Sequence, residues 1–69
     1  MNKQINNLLD AIESRRPRYF VIDREYRNVV AQAERLGYVE TIELGGGEQA
    51  AVLTDSGRGL MLFNRSQAL

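Results

Sequence analysis

Arginine, asparagine and glutamine are the side chains that hydrogen-bond to base edges in a DNA major groove. This sequence sets them at helical spacing. Arg24, Asn28, Ala31 and Arg35 fall at i, i+4, i+7 and i+11, with Arg27 and Gln32 beside that line. A second basic group, Arg15, Arg16 and Arg18, lies just upstream. Residues 15–27 hold five arginines against Asp23 and Glu25, a local excess of +3. Such a patch can neutralise phosphates, each contact steepening the salt dependence of binding. Both groups also have ordinary explanations. A solvated helix face carries Arg and Gln for helix propensity. Arg15 and Arg16 complement the dipole at a helix C-terminus, an account that leaves Arg18 over.

Residues 37–55 have the opposite character. They carry Glu40, Glu43, Glu48 and Asp55 and neither Lys nor Arg, a local charge of −4. Phosphates repel such a segment, whereas a basic protein surface attracts it.

Little else in the chain can do chemistry. It has no His and no Cys, so the commonest general base, the thiol nucleophile and the usual zinc ligands are missing. Ser14, Ser56 and Ser66 lack a partner base. The carboxylate pairs Asp23 with Glu25 and Glu40 with Glu43 sit on polar faces, and no Asp/Glu spacing forms a metal loop. Gly45-Gly46-Gly47 lacks the Gly-Lys-Ser/Thr ending of a phosphate loop. Gly57-Arg58-Gly59 can form an anion nest but reads more simply as a turn into a helix. The expectation is no enzyme, no metal and no cofactor.

The elements that must hold these side chains are short. The 69 residues allow one small domain, and 43% hydrophobic with 26% charged residues suit a folded core under a polar surface. Nine basic side chains balance nine acidic ones, so no global field draws the chain to nucleic acid or membrane. No stretch approaches the roughly 20 apolar residues of a bilayer span. The polar start, Met1-Asn2-Lys3-Gln4, is not a signal peptide. With zero Cys, this agrees with a cytoplasmic location.

Ile5, Leu8, Leu9 and Ile12 make one helical stripe over 3–14, with Asn2 as cap and Pro17 beyond its end. Residues 18–22 are aromatic and β-branched and read as a strand. Asp23 can cap a helix over 24–36 whose apolar stripe is Tyr26, Val29, Val30, Ala33 and Leu36, with Gly37 as the left-handed residue after its end. Residues 38–44 and 49–54 flank the glycine triplet as a hairpin. Tyr38, Ile42 and Leu44 alternate onto one face but share it with Glu40, and Val39 points the other way with Thr41 and Glu43, so the pattern leaves the register open. Thr54 or Asp55 can cap a last helix running through about Phe63 or beyond. Gly57 and Gly59 weaken its first turn by roughly 1 kcal/mol each relative to alanine. A three-layer stack of helices around the small sheet would bury both stripes.

The resulting α+β order is helix-strand-helix-strand-strand-helix. Leu36-Gly37-Tyr38-Val39, the glycine turn, and Leu53-Thr54-Asp55-Ser56-Gly57-Arg58-Gly59-Leu60 resemble the second half of bacterial winged-helix transcription regulators of the MarR-like and PadR-like kind. The resemblance covers about residues 24–62. It implies a small bacterial or phage regulator that binds double-stranded DNA. In a winged helix the N-terminal part of the recognition helix enters the groove. Arg24, Arg27 and Asn28 would then touch bases and Arg35 the backbone, with Arg15, Arg16 and Arg18 adding phosphate contacts. One departure stands out: a helix-turn-helix needs two helices before the wing, and only one is legible. Either a one-turn helix hides near residues 22–25 or the domain is trimmed. The cluster Leu60, Met61, Leu62 and Phe63 exceeds what one short helix buries alone, so Leu60, Met61 and Phe63 are expected at a homodimer interface. The competing reading is a protein-interaction module, an adaptor or phage-type inhibitor, that uses the acidic hairpin 38–54 and binds no DNA.

Overall fold

A computed structural model describes residues 3–67. Three helices and a three-stranded antiparallel sheet follow in the order helix-strand-helix-strand-strand-helix, an α+β arrangement consistent with a small winged-helix-like fold.

Helix α1, Lys3–Ser14, buries Ile5, Leu8, Leu9 and Ile12, the stripe that its 3.6-residue period sets out. The expected cap, Asn2, lies outside the described residues. After α1 the chain keeps turning. Arg15, Arg16 and Arg18 donate backbone N–H groups to the carbonyls of Ile12, Glu13 and Arg15. That turn takes up the first residues of the expected strand 18–22, so β1 is only Phe20–Val21, extended by one bond from Ile22 N–H to Gln49 O at 2.9 Å.

Asp23 caps the next element as expected, its carboxylate accepting from the Tyr26 N–H at 3.4 Å. The expected helix 24–36 divides in two. Residues Arg24–Tyr26 make one 3-10 turn, and helix α2 runs Arg27–Arg35 directly from it. The turn is the extra half-helix that 22–25 left open; it continues into α2 and forms no separate supporting helix. Gly37, at φ +86°, reverses the chain. Its N–H donates to Glu34 O and that of Tyr38 to Ala33 O, the paired bonds of a Schellman end.

Strands β2, Val39–Gly45, and β3, Glu48–Leu53, form the hairpin. Gly46 and Gly47 both have positive φ, as a twisted two-residue hairpin loop requires. The register pairs Val39 with Leu53, Thr41 with Ala51 and Ile42 with Ala50, and an irregularity between Glu43 and Gly45 accommodates Leu44. On the other edge β1 sets Phe20 against Ala51. Directly opposed residues share a face, so Phe20, Ala51, Val39 and Leu53 form the helix-facing side. Val21, Ala50, Ile42 and Val52 form the other, where Val21 is exposed. The buried cluster joins the first set to Ile5, Leu8, Leu9, Ile12, Val30, Ala33 and Met61. The domain therefore has two layers, helices on one face of the sheet, and not the expected three: the core gathers Phe20, Ala51 and Val39 with the three helices and takes in none of Val21, Ala50, Ile42 or Val52.

Thr54 is the knot of the fold. Its hydroxyl donates to Gly37 O at 2.6 Å and accepts from Gly57 N–H at 3.0 Å, while its own N–H donates to Tyr38 O. It thus caps helix α3, Asp55–Gln67, and ties that cap to the end of α2. α3 returns along α1 through Asn64 Nδ2 donating to Asn6 Oδ1 at 2.7 Å and an Arg65–Asp10 ion pair at 3.6 Å.

Candidate nucleic-acid interface

Helix α2 turns Val30 and Ala33 into the core and half-buries Val29, while Tyr26 ahead of it packs edge-on against Phe20 at 5.0 Å. That fixes which side faces out. Arg24, Arg27, Asn28, Ala31, Gln32 and Arg35 are all exposed. Among the described residues, Arg24, Arg27 and Arg35 make no ion pair. Of the two acids bordering this face, Glu34 accepts from the Thr41 hydroxyl at 3.0 Å and Glu25 is exposed in the 3-10 turn.

Position along the helix separates two roles. Arg35, in the last turn, complements the negative end of the dipole and needs no further reason. Arg24 and Arg27 stand at the positive end, where a cation costs about 0.3–1 kcal/mol. Helix stability does not explain them. An anion brought to that end would meet both the guanidinium groups and the helix N-terminus.

The upstream arginines are placed elsewhere. Arg15 lies over the Phe20 ring, 5.2 Å from its centroid, a cation–π contact that caps the core. Arg16 pairs with Glu13 at 3.4 Å. Arg16 and Arg18 border a concavity beside the C-terminal end of β3, at Ala51–Leu53. Arg27 borders a different one, with Glu34, Thr41, Gly47 and Gln49, at the N-terminal end of β3. Arg15, Arg16, Arg18, Arg24 and Arg27 thus do not make the one continuous surface that would favour DNA contact by all of them; they divide into an α2 set and a loop set. The divider is the length of the sheet, which the sequence spacing does not express. Arg58, read in the sequence as part of a turn, joins the loop set. Its place between Gly57 and Gly59, a possible anion nest at a helix start, had marked it beforehand.

The hairpin acids Glu40, Glu43 and Glu48 are exposed. Glu43 accepts from Gln49 Nε2 at 2.8 Å. Among the described residues none of the three joins an ion pair, and no three His, Cys, Asp or Glu side chains gather as a metal ion needs. No described helix is long and apolar enough to cross a membrane.

The expected interface on α3 needs one correction. Met61 is 3% exposed and belongs to the protomer's own core, because it shares the inward side of α3 with Gly57. Leu60 is half-buried, and Phe63 is exposed together with Leu62, each at 53%.

Scanning family models, curated proteins and solved structures returned no match to this chain.

Proposed function

We propose that the chain is a small DNA-binding protein that presents the outward face of α2 to the major groove. The observation that carries this reading is Arg24 and Arg27, exposed, unpaired among the described residues, and set at the helix end where a cation is otherwise unfavourable. Asn28, one position on, supplies the bidentate donor-acceptor pair suited to adenine. Arg35 reaches phosphate from the far end. The reading puts the protein in the cytoplasm, with the DNA.

Nine residues of α2 span few base pairs. A two-fold dimer would offer two such helices about one DNA turn apart, roughly 34 Å. The exposed pair Leu62 and Phe63 supports that arrangement.

The test is fluorescence anisotropy on a random-sequence duplex at about 50 mM salt, where non-specific binding is strong. The wild-type chain is expected to bind, and Arg24→Ala and Arg27→Ala are each expected to weaken it and to lower the slope of log affinity against log salt by about 1. Both sites are exposed, so unfolding stability should move by no more than about 0.5 kcal/mol. Undiminished affinity in the two variants rejects the reading.

A second reading has its own support. Glu40, Glu43 and Glu48 form an exposed acidic ribbon without ion pairs among the described residues, complementary to a basic protein surface. It predicts no anisotropy change on the duplex at low salt.

A further inference from the structure

The loop arginines that α2 does not use surround a cavity. It measures about 310 Å³, at the low end of ligand-sized sites. Arg16, Arg18 and Arg58 form its charged side, from the α1–β1 turn and the first turn of α3. Pro17, Tyr19 and Leu53 form an apolar side, and buried Phe20 and Ala51 lie at its base. Among the described residues Arg18 and Arg58 have no ion-pair partner, and Arg16 has the half-buried Glu13 at 3.4 Å.

Two facts about this arrangement call for an anion with a body. Three arginines that line one concavity make it electropositive, with Arg18 and Arg58 lacking an acidic partner among the described residues, and guanidinium forks match carboxylate and phosphate oxygens. The apolar side gives nothing to a bare inorganic ion, which would lose hydration against Pro17 and Leu53. It gives an aromatic or branched hydrocarbon both area and a stacking partner in Tyr19. A duplex backbone is a poor occupant, being a convex polyanion that leaves the apolar side uncovered.

We propose that this cavity is a binding site for a small organic anion, a carboxylate or phosphate monoester on an aromatic or branched apolar group. Arg18 and Arg58 hold the charged head and Tyr19, Pro17 and Leu53 the body. The site is separate from the outward face of α2 and stands whether or not that face binds DNA.

The test is a titration of the isotopically labelled full chain with phenyl phosphate, followed by amide and Arg Nε shifts. Saturable shifts are expected at residues 16–20, 51–53 and 58, with a Kd of about 1 mM or tighter. Inorganic phosphate and benzyl alcohol, which carry only the head or only the body, are each expected to bind at least about tenfold more weakly. Arg18→Ala and Arg58→Ala should each weaken phenyl phosphate by about fivefold or more. Arg24→Ala, in the 3-10 turn ahead of α2, should leave it unchanged. The wild-type titration needs no variant to fold, and the spectrum reports the fold of each variant directly. Absence of saturable shifts, equal binding of inorganic phosphate, equal loss in Arg24→Ala, or shifts at this cavity from a duplex and not from phenyl phosphate would each overturn the assignment.

Discussion

At the scale of single residues, the two glycines of α3 look alike in the sequence and differ in space. Gly57 is the third residue of the helix and Gly59 the fifth, and each lowers helix propensity by about 1 kcal/mol against alanine. A Cβ at Gly59 meets nothing within 4 Å, whereas a Cβ at Gly57 runs into the backbone carbonyl of Tyr38. That carbonyl is fixed by accepting the Thr54 N–H and cannot retreat cheaply. Gly59→Ala should therefore stabilise the chain by up to about 1 kcal/mol. Gly57→Ala should destabilise it by about 1–3 kcal/mol through overpacking. Urea unfolding of both variants measures the contrast, and a Gly57→Ala chain as stable as Gly59→Ala would remove the close approach from the account. The same limit on sequence reading applies to the arginines. Arg24, Arg27, Asn28 and Arg35 were legible as a group because helical periodicity puts them on one face. Arg58 was legible only as part of a possible anion nest; that it shares a cavity with Arg16 and Arg18, about forty residues away along the chain, follows from the pairing of β1 with β3.

At the scale of elements, the helices were legible and the strands only in part. The α1 stripe came through intact because four apolar positions at one period leave one way to pack. β1 shrank to two residues because the backbone bond from Arg18 to Arg15, which no side-chain pattern announces, holds the first part of the segment in a turn. The hairpin register was undecided because apolar residues stood on both faces. Val39 was drawn inward by its pairing with Leu53 beside the Thr54 junction. That junction makes a prediction at this level. Thr54→Ala removes the cap of α3 and the bond to Gly37 O together, so the end of α2 and the start of α3 should loosen as one. The expected cost is about 1–2 kcal/mol, above the few tenths that glycine at an ordinary cap would cost. Hydrogen exchange should quicken at both Gly57 and Tyr38. Faster exchange confined to α3 would show that the two ends are not coupled through this side chain.

At the scale of the whole molecule, the question is what a chain of 69 residues does with apolar surface it does not bury. Domains this small leave about 40% of their unfolded surface exposed and are marginal alone. α3 runs beyond Phe63 to Gln67, and its inward side, Gly57, Met61 and Asn64, is spent on the core and on Asn6. Leu62 and Phe63 fall on the opposite side, each 53% exposed. Charge does not forbid a second copy there, since Arg65 beside them is held by Asp10 on α1 and the net charge is zero. Two such faces brought together would bury both pairs and set the α2 helices in two-fold relation. Sedimentation at about 100 μM is expected to give a dimer, with a melting temperature that rises with concentration, as linkage requires. Leu62→Asp with Phe63→Asp should give a monomer that still folds, because neither side chain belongs to the protomer core. If the double variant sediments as the wild type does, or the wild type is a monomer at that concentration, the second copy does not sit on α3. In that case any DNA-binding form would have to contact its site with a single α2 helix.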